Sequence, residues 1–361
     1  MWGHLRALFF VNYSELPPPG SFVKIFYFVT GFGHQAVMVF FVLSGFLISS
    51  TVFKSHASGS LSWRSYFIHR ASRLYAVLIP GLLLGLLWDQ AGSSLFASSG
   101  LYTHPLEGLG SAIAVESLTV RDFFGNLFFV QTILTKTFGS NGPLWSLANE
   151  FWYYILFPAV FCAGMAWAGR RFRRAVALSA IAAVLAVFLG LAKLAGFAVW
   201  AAGSILVLAH SRAERLAGKW LGVWLLGSSL ALSGCLLLAR TERFPGTGSD
   251  LLLGLTFSLF LLGVLQVKLG THNKRYRNAA SLLAGFSYTL YVAHFPLLLF
   301  LRAWIAPSRR WQPDGYHLFL AGLIGAATLV FSWLVSLPTE GRTHIVRKWL
   351  MKRLLAEEKA R

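Results

Sequence analysis

Residues 33–50 read GHQAVMVFFVLSGFLISS. The run is close to the ~20 apolar residues that carry a helix across a bilayer, yet a Ser-Gly pair, Ser44 and Gly45, sits near its middle. Gly costs about 1 kcal/mol of helix propensity relative to Ala, and a hydroxyl adds nothing to a helix that only anchors. The pair therefore asks for close approach by another helix or by a ligand.

The rest of the chain agrees with a lipid environment. Of 361 residues, 56% are hydrophobic, 15% aromatic and only 12% charged, where soluble domains carry about 25% charged residues. Mean hydropathy is +0.62. A formal charge of +19 would suggest nucleic acid if it formed a patch on a polar domain, but here the cations lie between hydrophobic runs, so no nucleic-acid partner is expected. Cys162 and Cys235 both fall inside apolar segments, which supports neither a disulfide framework nor a thiolate metal site. The opening MWGHLRALFFVNY has no basic region, long apolar core or small-residue cleavage site, so no cleavable signal is expected.

Working outward, apolar runs occupy 36–53, 74–88, 144–168, 175–192, 196–210, 220–239, 251–269, 279–301 and 317–337, preceded by a run at 5–11 too short to span. The reading is an all-α polytopic membrane protein of about ten transmembrane helices, the first cut short. The membrane domain covers 1–340, and 341–361 form a basic cytoplasmic tail lying on the inner membrane surface. Lys and Arg crowd into alternate connections, at Lys54, Arg64, Arg70 and Arg73, at Arg170, Arg171, Arg173 and Arg174, at Arg212, Arg215 and Lys219, at Lys268, Lys274, Arg275 and Arg277, and in the tail through Arg361. Because such residues stay on the cytoplasmic side of short loops, both termini are expected inside. The longest loop, 89–143, is then outside.

Four places could carry chemistry. In SNGPLWSLANEFWYY, Asn141 or Gly142 reads as a helix cap with Pro143 in the first turn. Helical spacing then puts Ser146, Asn149, Glu150 and Tyr153 on one face. A carboxylate inside an apolar helix is costly, so Glu150 reads as functional or as half of a packing ion pair. His4 lies at a similar expected depth, so a His4–Glu150 pair could make a general base, although position 4 alone also reads as a fraying terminus. In RSYFIHRASRLYAVLIP, Arg70 and Arg73 are one turn apart beside Tyr66 and Phe67, suited to a phosphate but equally to topology. In FSYTLYVAHFPLL, Tyr288 and Tyr291 suit an interfacial anchor, and His294 precedes Pro296, where a hydrogen-bonded structural histidine is the plainer reading.

Taken together, GHQAVMVFFVLSGFLI, RASRLY, PLWSLANEFWYY and FSYTLYVAHFPLL resemble, in order and separation, acyltransferase family 3, and the resemblance runs from His4 to about Glu340. It implies a bacterial cytoplasmic-membrane enzyme that moves an acyl group, usually acetyl, from acyl-CoA as co-substrate to a hydroxyl of a cell-surface or exported saccharide, with no bound cofactor and no metal. By the resemblance, His4 is the catalytic base and Glu150 its acid partner. Arg70, Arg73, Ser44 and Gly45 serve the acyl donor, and Ser146, Asn149, Tyr153, Tyr288, Tyr291 and His294 are candidates for the acceptor site or channel. The chain departs from the family pattern at Ala36, where a glycine is common, at Ala76, where a proline is common, and in lacking the family's arginine upstream of the histidine. A transporter or flippase for lipid-linked saccharides, or a non-catalytic membrane scaffold, would use the same buried groups without acyl-CoA.

Overall fold

The computed structural model describes residues 1–106, 109, 113–213, 220–240, 246–267 and 274–359. Arg215, Lys219, Lys268 and Arg361, on which part of the expected orientation rests, lie outside the described residues. Regular structure among the described residues is helical: α1 Trp2–Phe9, α2 Ser21–Val29, α3 Gly33–Ala57, α4 Trp63–Leu95, α5 Val120–Leu127, α6 Leu144–Ala168, α7 Phe172–Ala213, α8 Leu221–Leu238, α9 Thr247–Val264, α10 Lys274–Ile305, α11 Gly315–Ser336 and α12 Thr343–Lys359.

Among the described residues, eight helical segments are long and apolar enough to cross a membrane. In hydrocarbon every backbone donor and acceptor must find a partner within the protein, and a helix satisfies them locally. The protein is an all-α polytopic membrane protein. Its apolar surface fits: Val187 and Leu191 are 84% and 87% exposed, which suits acyl chains and not water. Eight segments stand against the nine long runs of the sequence because 175–192 and 196–210 both fall within α7, in which two helical stretches meet at a break. The break is at Gly190, whose φ of 73° and ψ of 166° are not helical, a few residues before the gap between the two sequence runs.

Two compact units divide the chain. The first comprises 1–33, 62–148 and 273–361, and the second 34–61 and 149–272. In the first, α10 packs against α4 and α11, α12 packs against α4, and α1 lies against α10 and α11. The segment carrying Arg70 and Arg73 does not precede the third apolar helix but is part of it, since α4 starts at Trp63 with Ser62 as its cap. In the second unit, α9 packs on α7 and α8, and α3 crosses α7. There a Cβ on Gly45 would collide with the Trp200 carbonyl, and one on Gly203 with the Val42 carbonyl. Ser49 donates to Ser204 at 2.5 Å across the same crossing. Small residues thus bring the two backbones together, which answers what Gly45 is for: it meets a helix.

Candidate active site

An eight-residue helix is too short to be stable by itself, so α1 depends on tertiary contacts. Leu5 and Phe9 are fully buried and Leu8 nearly so, in a core with Leu298, Leu299, Ala303, Trp311, Ala321 and Ile324. Its end is tied down: Trp311 N–H donates to Phe9 O at 2.6 Å, Val11 N–H to Trp311 O at 3.1 Å, and buried Arg302 donates through Nε to Leu8 O at 2.9 Å. The carbonyls of Leu8 and Phe9, which the helix terminus leaves open, are therefore taken. Position 4 is not a fraying end.

On this helix His4 faces a second histidine. Its Nδ1 lies 2.8 Å from Nε2 of His294. The ring planes are within 14° of parallel while the centroids are 5.1 Å apart, a separation close to the N–N distance plus the two ring radii. The rings are therefore edge to edge and nearly coplanar, the arrangement of a directional hydrogen bond. Phe295 meets His4 edge-on at 5.2 Å. His294 is 2% exposed, and its Nδ1 lies 2.9 Å from both Leu290 O and Tyr291 O.

Local sequence explains how the next carbonyl along this turn is satisfied. Pro296 lies within α10 and has no N–H, so the carbonyl four residues back, on Val292, has no helical donor. Asn141 supplies one through Nδ2 at 2.8 Å. The same segment is held by Tyr291, whose hydroxyl donates to Pro143 O and lies 2.5 Å from Ser146 Oγ, and by Gln131, which donates to Leu144 O at 3.0 Å. Asn141 thus does not cap α6 with its side-chain oxygen, which has no hydrogen-bond partner; its amide answers the proline on α10 instead.

A cavity of about 170 Å³ opens beside His4, walled by Leu106, Leu109, Ala114, Thr137, Gly139, Ser140, Gly142, Pro143, Trp145 and Phe295. His4 is the one titratable side chain among these lining residues. The wall at Gly139 and Ser140 is fixed by Asp89 of α4, which is fully buried. It accepts from Ser140 N–H and from Ser140 Oγ, each at 2.7 Å. Gly139 has φ of 57°, and a Cβ there would strike Asp89 Oδ2, so the turn requires glycine.

In the second unit, Glu150 is buried at 7% exposure. Ser44 Oγ donates to its Oε1 at 3.2 Å, Tyr154 OH donates to the same oxygen, and Trp200 Nε1 donates to Ser44 Oγ at 3.2 Å. Asn149, also buried, has a side-chain oxygen without a hydrogen-bond partner, an orphan of the kind that water or a ligand satisfies. Tyr153 OH donates to Lys193 O at 2.7 Å. In the first unit the Arg70 guanidinium stands 5.6 Å over the Tyr66 ring, Arg73 is exposed, and Tyr288 OH donates to Leu74 O at 3.3 Å.

The structure therefore brings together His4, His294, Tyr291 and Ser146 in the first unit, and Ser44 and Glu150 in the second. Sequence reasoning took a structural role as the plainer reading of His294, kept it among the acceptor or channel candidates by the family resemblance, and did not single out Asp89 or Arg302 as site residues. Both charges stand at the ends of apolar runs, and an ionisable group in such a run is a signal in itself. The pairing of His4 with His294 had no local signal, because the two are 290 positions apart.

The sequence model of a family described as "Acyltransferase domain" matches residues 1–337. A Bacillus subtilis (strain 168) protein named "Putative peptidoglycan O-acetyltransferase YrhL" is 28% identical over 163 residues, 44% of this chain and 24% of that protein. An "Uncharacterized protein" of Haemophilus influenzae is 27% identical over 149 residues, 41% of this chain and 55% of that one. The chain thus aligns with about a quarter and about half the length of these two relatives. No solved structure matches.

Proposed function

This chain belongs to acyltransferase family 3, and from that premise we propose that it O-acylates a hydroxyl of a cell-surface or exported saccharide, with acetyl-CoA as donor. Peptidoglycan is the first acceptor to try, because a relative's name carries that substrate. The observation that supports the chemistry is that His4 is the one titratable side chain among the described residues on the wall of the 170 Å³ cavity. A cavity below the ~300–1,000 Å³ of drug-sized sites suits a single sugar ring or the end of a thioester arm.

In this reading His4 takes the proton of the acceptor hydroxyl as its oxygen attacks the thioester carbonyl. The carbon–sulfur bond breaks, and the departing thiolate takes the proton from the imidazolium, leaving an ester and a thiol. Glu150 serves as the buried acid of the second unit, Arg70 and Arg73 receive the donor's phosphates at the cytoplasmic face, and the protein spans a bacterial cytoplasmic membrane with both termini on the cytoplasmic side. Asn149, Tyr153 and Ser146 remain candidates for the channel.

The test is membrane vesicles given labelled acetyl-CoA and solubilised peptidoglycan strands or exported glycans, followed by a search for an alkali-labile ester. Transfer that is lost in His4→Ala while the variant still inserts is the expected result. Transfer unchanged in His4→Ala removes the histidine from the mechanism, and substrate movement without acyl-CoA dependence replaces the enzyme with a transporter.

A further inference from the structure

We infer that His294 is the positioning residue that sets the tautomer of His4, so that the base is held by a neutral histidine relay anchored on main-chain carbonyls. The inference rests on the proposed role of His4 as base.

The assignment follows from donors and acceptors. Nδ1 of His294 faces two carbonyl oxygens, Leu290 O and Tyr291 O, each at 2.9 Å. A carbonyl only accepts, so that nitrogen carries the proton. In a neutral ring Nε2 is then a lone-pair acceptor, and it lies 2.8 Å from His4 Nδ1 in nearly the same plane. His4 must therefore donate through Nδ1, which leaves its Nε2 as the lone pair. One direction of hydrogen bonding runs from His4 through His294 to the backbone, and it fixes which nitrogen of His4 is basic.

The alternative is a charged His294 that donates from both nitrogens and makes His4 the acceptor. The hydrogen bonds of the two rings go to each other and to the α10 carbonyls, and among the described residues of their unit no carboxylate hydrogen-bonds to either ring. A buried imidazolium without an anion is costly, so the neutral relay is the lower state. The carbonyls are well placed for the task, since Pro296 and Asn141 fix this turn of α10. A histidine orienter supplies direction without a full negative charge in an apolar bundle.

The test uses two substitutions that packing alone would not separate. His294→Gln places an amide oxygen near the position of Nε2 and keeps an acceptor for His4. His294→Leu fills similar space without one. With acetyl-CoA and the glycan strands above, kcat should fall on the order of 10²-fold in His294→Leu, the scale of general acid–base catalysis, with the acceptor KM unchanged and most of the rate restored in His294→Gln. Full-length protein with 15N-labelled histidine, with resonances assigned by His4→Gln, should show a neutral His4 protonated on Nδ1, shifting towards a mixture of tautomers in His294→Leu.

Equal losses in Leu and Gln variants, no loss in either, or a wild-type His4 protonated on Nε2 would each overturn the relay. If His294→Leu does not fold, the wild-type tautomer and the Gln variant still decide. Activity that survives His4→Ala defeats the parent reading instead, whatever the tautomer.

Discussion

Asn141 donates its side-chain amide at 2.8 Å to the carbonyl of Val292, the carbonyl that Pro296 leaves without a helical partner. The contact ties the approach to α6 to the turn of α10 that carries His294. Removing the amide in Asn141→Ala should orphan a buried acceptor and cost ~1–3 kcal/mol. In a Pro296→Ala background a helical N–H is available again, so the same change should cost much less. A double-mutant cycle on thermal unfolding in detergent measures the coupling, expected between about 0.5 and 3 kcal/mol; a coupling near zero would mean the amide and the proline act separately.

Gly45 should not tolerate a side chain. Its Cβ would strike the main chain at Trp200, which cannot swing aside as a flexible side chain would, and overpacking of this kind costs ~1–3 kcal/mol. Gly222→Ala is the control, because nothing lies within 4 Å of a Cβ there. Detergent-solubilised Gly45→Ala should melt earlier than the parent protein, and Gly222→Ala should not.

Asp89 should matter as an acceptor and not as a charge. It accepts from Ser140 N–H and Oγ. Asn can take the N–H through its oxygen, while its amide donates to a hydroxyl that turns to accept. Asp89→Asn should therefore stay near wild-type stability, whereas Asp89→Leu should lose ~1–3 kcal/mol. Because Ser140 lines the cavity, the Leu variant should also raise the acceptor KM more than the donor KM. Equal changes for both substrates would detach Asp89 from the acceptor side.

Asp314 gives a pH signature outside the membrane-spanning segments. It caps α11, accepting from His317 N–H at 2.9 Å with the His317 ring at 2.7 Å. The backbone N–H first, and then the ring, hold its carboxyl below the usual range. A depressed folded value contributes stability that is complete above the ordinary carboxylate pKa of about 3.9 and fades as pH falls through the lower folded value. Asp314→Ser keeps a cap that does not titrate there. Melting temperature measured from pH 6 down to 3 should drop more steeply for the parent than for the Ser variant, and parallel curves would count against the carboxylate.

What could be read from the sequence depended on how local the cause was. Hydropathy acts over one helix, so α3, α6, α10 and α11 were legible, and so was the special status of Ser44 and Gly45. The family was legible from four motifs, because each motif is contiguous. By contrast, the burial of α1 depends on Trp311 and Arg302, and the partner of His4 stands on α10. Neither contact leaves a trace in the spacing around position 4. The α2 helix escaped because its run is short, whereas the division of α7 into two helical stretches was legible as two runs, with the break at Gly190 falling just before the gap between them. Asn141 misled for a subtler reason: its residue type and place fit a cap, but a distant proline had a stronger claim on its amide.

The clamps on α1 have one more consequence. A helix that crosses the whole bilayer tilts when membrane thickness changes, and groups mounted on it rise or sink. His4 sits instead on a short element bolted to α10 by the Arg302 side chain and to the Trp311 segment by main-chain bonds, so its registry with His294 is a property of the polypeptide. Reconstitution in thin or thick lipids should leave that registry intact, which gives the cell freedom to remodel its lipids without detuning the imidazole pair.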